Sequence, residues 1–151
     1  MRTKRGHPAA LWTLIGAHGG AGTSMVVDLL NHRRTSPLAF EFDGAVPAEH
    51  NPALVVRATA EGADHAARMI ASWPEHLARP ALIIVADAPL PMPRLARYRL
   101  RAISGETALT LRVPYLFALR HLDRHAALEA GGRVTRTART LQRVLSKGPT
   151  S

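Results

Sequence analysis

The sequence predicts an α/β domain with a mostly parallel sheet and helices on both of its faces. Three observations carry that reading. Apolar strand-like runs alternate with amphipathic helical stretches along the chain. The strongest run, Ala81-Leu82-Ile83-Ile84-Val85-Ala86-Asp87, is apolar without alternation, as in a strand covered on both faces. A first strand also runs directly into a glycine cluster that opens a helix. With 151 residues, 46% of them hydrophobic, the chain can bury one core and is too short for two ordinary domains.

Leu11 to Ala17 reads as the first buried strand, ended by the glycines at 19, 20 and 22. Thr23 to Asn31 sets Met25, Val26, Leu29 and Leu30 at helical spacing, with Thr23 or Ser24 as the cap. From Arg33 to Pro52 the pattern weakens around three prolines, leaving one short strand within Leu38 to Phe42. Ala53 to Ala58 is the next strand. Glu61 to Trp73 is a helix with Ala63, Ala66, Ala67, Ile70 and Trp73 on one face. After the run at Ala81, Pro89, Pro91 and Pro93 make a stiff turn into a helix over Arg94 to Ser104, closed by Gly105. Leu109 to Val113 is a strand and Leu116 to Glu129 a helix. Gly131 and Gly132 form a break before a last helix over Arg133 to Ser146. The Leu11 strand is expected at the centre of the sheet, flanked by the strands at Ala53 and Ala81.

Charge divides the chain into three parts. Residues 1–8 form a basic tail with Arg2, Lys4 and Arg5, and residues 130–151 carry Arg133, Arg136, Arg139, Arg143 and Lys147 with no acid. The body between is nearly neutral, with twelve basic and eleven acidic residues over 6–129, and the α/β domain is expected over 9–129. Basic ends of this kind commonly meet phosphate backbones or anionic surfaces, and they also serve plain solubility. There is no cysteine, which excludes disulfides and thiolate chemistry. No apolar run approaches the roughly 20 residues that span a bilayer. The basic start lacks a distinct cleavage site, so the expected location is the cytoplasm.

His18-Gly19-Gly20-Ala21-Gly22-Thr23-Ser24 has the form of an anion-binding loop. A strand that turns through glycines into a helix aims backbone N–H groups and the positive end of the helix dipole at one point. Glycine permits the close approach and the positive φ. Ser24 stands where a hydroxyl can meet a phosphate-bound magnesium. A tight turn packed on the sheet, with no ligand, has the same residues.

Leu14 to Ser24 resembles the deviant Walker A motif of the ParA/MinD class of ATPases, K-G-G-x-G-K-[ST]. Gly19, Gly20, Gly22 and Ser24 match. His18 replaces the lysine that in the family reaches across a dimer, and Thr23 replaces the lysine that binds the β- and γ-phosphates. The stretch from Leu54 to Ala66 is similar to the family's strand ending in a Thr-Pro-Glu-like turn. Ala81 to Asp87 is similar to its late strand beside the base. Leu111-Arg112-Val113-Pro114-Tyr115 is similar to the strand whose proline lies near the adenine. The likeness covers about residues 11 to 120 and departs at Arg33 to Pro52, where the family has longer switch segments and its metal-binding aspartate. Asp43 is the only aspartate there. Asp87, in Asp87-Ala88-Pro89, is a magnesium-side aspartate or a turn cap.

The resemblance implies ATP or another nucleotide with Mg²⁺ over His18 to Ser24, with Ser24 and Asp87 on the metal. Loss of both lysines makes that binding weak or absent and fast hydrolysis improbable, because phosphoryl transfer depends on positioned positive charge. No catalytic residue is assigned. The favoured reading is a regulatory or recruiting protein that draws DNA or a protein, a second copy included, to its surface. One alternative is an active nucleotide hydrolase using Ser24, His18 and an aspartate. The other is a basic DNA- or membrane-binding module with a vestigial loop.

Two further patterns remain. His121 and His125 share a helical face at a spacing that holds zinc, but no third ligand accompanies them, and a solvated face fits better. In the last helix Arg133, Arg136, Arg139, Arg143 and Lys147 lie opposite Val134, Ala138, Leu141, Val144 and Leu145. The apolar stripe must be covered, and the basic one faces water or a polyanion.

Overall fold

The computed structural model describes residues 8–121, 123–129 and 131–149. Its strands are β1 (Leu11–Gly16), β2 (Ala39–Glu41), β3 (His50–Arg57), β4 (Ala81–Val85) and β5 (Leu109–Val113). The helices are α1 (Thr23–Asn31), α2 (Ala60–Ala71), α3 (Arg94–Ser104), α4 (Phe117–His121), α5 (Arg124–Glu129) and α6 (Arg133–Ser146). All strand pairs are parallel and the sheet order is β2-β1-β3-β4-β5, so the predicted parallel α/β class is observed.

Side-chain alternation splits the core into two layers. Trp12 and Leu14 of β1, Ala53 and Val55 of β3, and Ile83 and Val85 of β4 face α1 and α6. Leu54, Val56, Leu82 and Ile84 face the other way, onto Ala63, Ala66 and Ile70 of α2 and Leu100 and Ile103 of α3. β4 is buried at all five positions, which is why its sequence shows no alternation.

The Leu11 strand is internal and its neighbours are parallel, but its flanking strands are β2 and β3 rather than those at Ala53 and Ala81. The Ala81 strand lies beyond β3. The weakly patterned segment supplies that second neighbour: Trp12, Thr13 and Leu14 pair with Ala39, Phe40 and Glu41. Asn31 fixes the approach to β2, its side-chain carbonyl accepting from the N–H groups of Leu38 and Ala39. β3 starts three residues earlier than expected, through Pro52. That residue lies where β3 pairs with β1 alone, since pairing to β4 begins at Ala53, so its missing N–H costs nothing on the β4 side.

The expected helix from Leu116 to Glu129 is two short helices, α4 and α5. His121 and His125 therefore fall on separate helices, and their side chains lie outside the described residues, as does the basic segment 1–7. α6 packs into the core, as its apolar stripe requires. Val134, Ala138, Leu141 and Leu145 are buried among β1 and α1 residues. The Trp12 indole N–H donates to the Leu145 carbonyl at 2.8 Å, and the Gln142 amide donates to the carbonyls of Leu29 and His32. Among the described residues no helix is long and apolar enough to cross a membrane.

Candidate functional site

β1, β3 and β4 all end on one side of the molecule, and the chain leaves β1 in one direction along the sheet and β3 in the other. The crevice outside the carboxyl ends at such a switch point is where open α/β sheets bind ligands. Residues 17–22 fill the β1 side of that crevice and the turn at Ala58 and Thr59 the β3 side.

The glycines of the loop are used differently. Gly20 and Gly22 have φ of 80° and 94°, a backbone that an L side chain adopts only with strain. Gly22 is the N-cap of α1 with no side-chain cap bond, which corrects the expectation that Thr23 or Ser24 caps this helix. Thr23 Oγ1 instead lies against the end of β1: a Cβ on Gly16 would stand 2.7 Å from it. Among the described residues, the N–H groups of Gly19, Gly20, Gly22, Thr23 and Ser24 make no backbone hydrogen bond, whereas those of Ala21 and Val26 donate to His18 and Gly22. Free N–H groups at the start of a nine-residue helix leave an anion-seeking end.

Ser24 points the other way from Thr23 and donates from Oγ to Glu41 Oε1 at 2.7 Å. β2 pairs with β1 so that Glu41 sits opposite Leu14, which brings its carboxylate beside the first turn of α1. A hydroxyl and a carboxylate are hard oxygen donors of the kind Mg²⁺ takes, with phosphate oxygens and water completing the shell. Among the described residues no group of three or more His, Cys, Asp or Glu could hold a metal unaided. Asp87, read as a magnesium-side aspartate or a turn cap, lies just past β4 with its carboxylate 3.9 Å from the Arg57 guanidinium.

Arg57 is the cation of the site. Its Nε and Nη2 donate to the Gly20 carbonyl at 3.2 and 3.0 Å, clamping the loop in a fork. Its side chain is 15% exposed. The backbone N–H of Arg57 approaches His18 Nε2 at 3.4 Å, and His18 Nδ1 lies 2.9 Å from the Gly19 carbonyl. The His18 ring also lies 5.5 Å from that of His65 on α2. Gly62 makes this packing possible, because a Cβ there would strike the Arg57 carbonyl and crowd the His18 imidazole. His18 is thus held against β3 and α2.

Sequence reasoning singled out the loop but missed Arg57 and Glu41. Arg57 stands directly after a buried strand, and Glu41 closes an apolar triplet; strand-end position was the signal in both cases. Of the remaining predicted residues, Arg133, Arg136, Arg139, Arg143 and Lys147 are all exposed along α6. Pro114 and Tyr115 line a crevice of about 970 Å³ beyond the ends of β4 and β5, with Ala86, Leu90, Phe117 and Val134. Fold and site together define a three-layer α/β protein with a glycine-rich loop at its sheet switch point. Comparison with protein-family models, curated proteins and solved structures returns no match.

Proposed function

We propose that the loop from His18 to Ser24 binds the phosphates of ATP or another nucleotide with Mg²⁺, in a ParA/MinD-like protein whose role is regulation or recruitment rather than hydrolysis. The observation that carries this reading is the Ser24–Glu41 hydrogen bond beside a row of unbonded loop N–H groups. The loop amides and the α1 dipole hold phosphate oxygens. Ser24 and Glu41 hold the cation, which supplies charge neutralisation when bound. Arg57 fixes the shape of the loop through Gly20.

Weak chemistry follows from the same residues. Thr23 offers no charge, and Arg57 is engaged with the Gly20 carbonyl instead of standing free for a transferred phosphoryl group. Phosphoryl transfer without positioned cations is slow. The lack of cysteine suits a cytoplasmic location.

A second reading, a DNA- or membrane-binding module, is favoured by one observation: α6 buries its apolar residues in the core and keeps all five cations exposed. With that face occupied, the helix has nothing to insert in a bilayer, so duplex DNA is the better partner. Fluorescent ATP titrated with and without Mg²⁺ tests the first reading. Mg²⁺-dependent binding that Ser24→Ala weakens supports it, and equal signals without protein response to either contradict it.

A further inference from the structure

α3 carries four arginines, and the stretch from Ala88 to Gly105 contains no acid. Arg99 is turned inward and donates to the Ala60 carbonyl at 3.1 Å. Elsewhere on this layer Arg68 pairs with Asp64 and Arg79 with Glu106. Arg97 and Arg101 have no ion pair among the described residues, and neither has Arg112 on β5. These three exposed arginines line a single cleft of about 140 Å³ between α3 and the edge of the sheet, with Ser104 and Thr110.

Three like charges gathered in one cleft repel one another, and no carboxylate lines it to compensate. Guanidinium forks are donors that recognise phosphate oxygens, and Thr110 adds a hydroxyl, while the Ser104 hydroxyl donates to the Arg101 carbonyl at 2.8 Å. The cleft takes one such group. Arg94 continues the row one turn earlier on α3, and Tyr98, 73% exposed, lies beside it. An uncovered aromatic ring flanked by arginines is a surface on which a nucleobase stacks. The cleft is on the α2/α3 layer, opposite α6, so the basic stripe of that helix does not contribute to it.

We propose that Arg97, Arg101 and Arg112 form a phosphate-binding cleft for a single-stranded nucleic acid, laid along α3 with a base against Tyr98. The site is separate from the glycine loop and does not depend on nucleotide binding there. The test is fluorescence anisotropy of a labelled 12-nucleotide oligodeoxythymidylate with the full chain carrying Arg136→Gln, Arg139→Gln and Arg143→Gln, so that α6 is silent. Adding Arg97→Gln, Arg101→Gln and Arg112→Gln should weaken binding at least tenfold and flatten the log–log salt slope by about two units, three single-strand contacts at roughly 0.7 each. Tyr98→Ala alone should weaken binding about fivefold or more with the slope unchanged. All four positions are exposed, and circular dichroism confirms that each variant is folded. Equal affinity and slope with and without the three cleft arginines overturns the proposal. So does inorganic phosphate that shifts the Arg97, Arg101 and Arg112 side-chain NMR signals when the oligonucleotide shifts none of them, since the cleft would then take small anions only.

Discussion

Ser24, in the first turn of α1, and Glu41, the last residue of β2, are joined by a 2.7 Å hydrogen bond that ties the glycine loop to the neighbouring strand. The pair is solvent-facing, so it contributes little to stability, about 1 kcal/mol or less. Its removal should therefore be felt in ligand binding. Glu41→Gln keeps the hydrogen-bonding shape but removes the charge that holds a cation. Calorimetric titration with Mg·ATP should show affinity falling at least tenfold, while the melting temperature moves by only a degree or two.

Arg57 should matter to the loop even without ligand. Its two bonds to the Gly20 carbonyl lie on the solvent-exposed loop, so together they are worth about 1 kcal/mol. Arg57→Gln should lower stability by about that amount and speed amide hydrogen exchange at Ala21, whose N–H donates to the His18 carbonyl within the loop, while exchange in β4 changes only with global stability. Unaltered loop exchange would mean that the fork is not what holds the loop.

Restoring a lysine is the complementary experiment. Thr23→Lys should raise nucleotide affinity by about tenfold or more, since an ammonium at the phosphates adds about 1.5–3 kcal/mol. The side chain must leave the Gly16 contact that Thr23 Oγ1 now makes, and the N-terminal end of α1 leaves room on its solvent side. An unchanged affinity in a folded protein would show that the loop lacks phosphate geometry.

On α6 the two faces should respond oppositely to substitution. Leu145 is fully buried and Leu141 nearly so, and truncating either to alanine should cost about 2–5 kcal/mol. Changing Arg136, Arg139 and Arg143 together to glutamine should leave stability within about 0.5 kcal/mol per position. The same triple change should flatten the salt slope of duplex DNA binding by about three units. Deleting residues 130–151 is not a usable variant, because it removes four core side chains along with the charges.

Much of this architecture was readable from local pattern. β4 declared itself by five apolar residues in a row, α3 by its proline entry and glycine exit, and α6 by two opposed stripes. What could not be read was decided by pairing across the sheet. A short strand is legible within Leu38 to Phe42, but its place is not, and only the ladder to β1 sets Ala39 to Glu41 beside Trp12 to Leu14. That same ladder places Glu41 at Ser24, so the carboxylate was invisible without it. Arg57 is 37 residues from Gly20 in sequence and meets it only because β3 lies beside β1. Asp87, whose motif fits either a metal-side or a turn-capping role, follows β4, two strands from β1, and lies 3.9 Å from Arg57.

Phosphate binding at the glycine loop is read most directly by amide NMR of the labelled full chain with Mg·ADP and Mg·ATP. The N–H signals of Gly19, Gly20, Gly22, Thr23 and Ser24 should shift downfield in a saturable way, together with the Glu41 signal and only when Mg²⁺ is present. Shifts confined to α6 or α3, or no saturable shift in the loop at millimolar nucleotide, would contradict it.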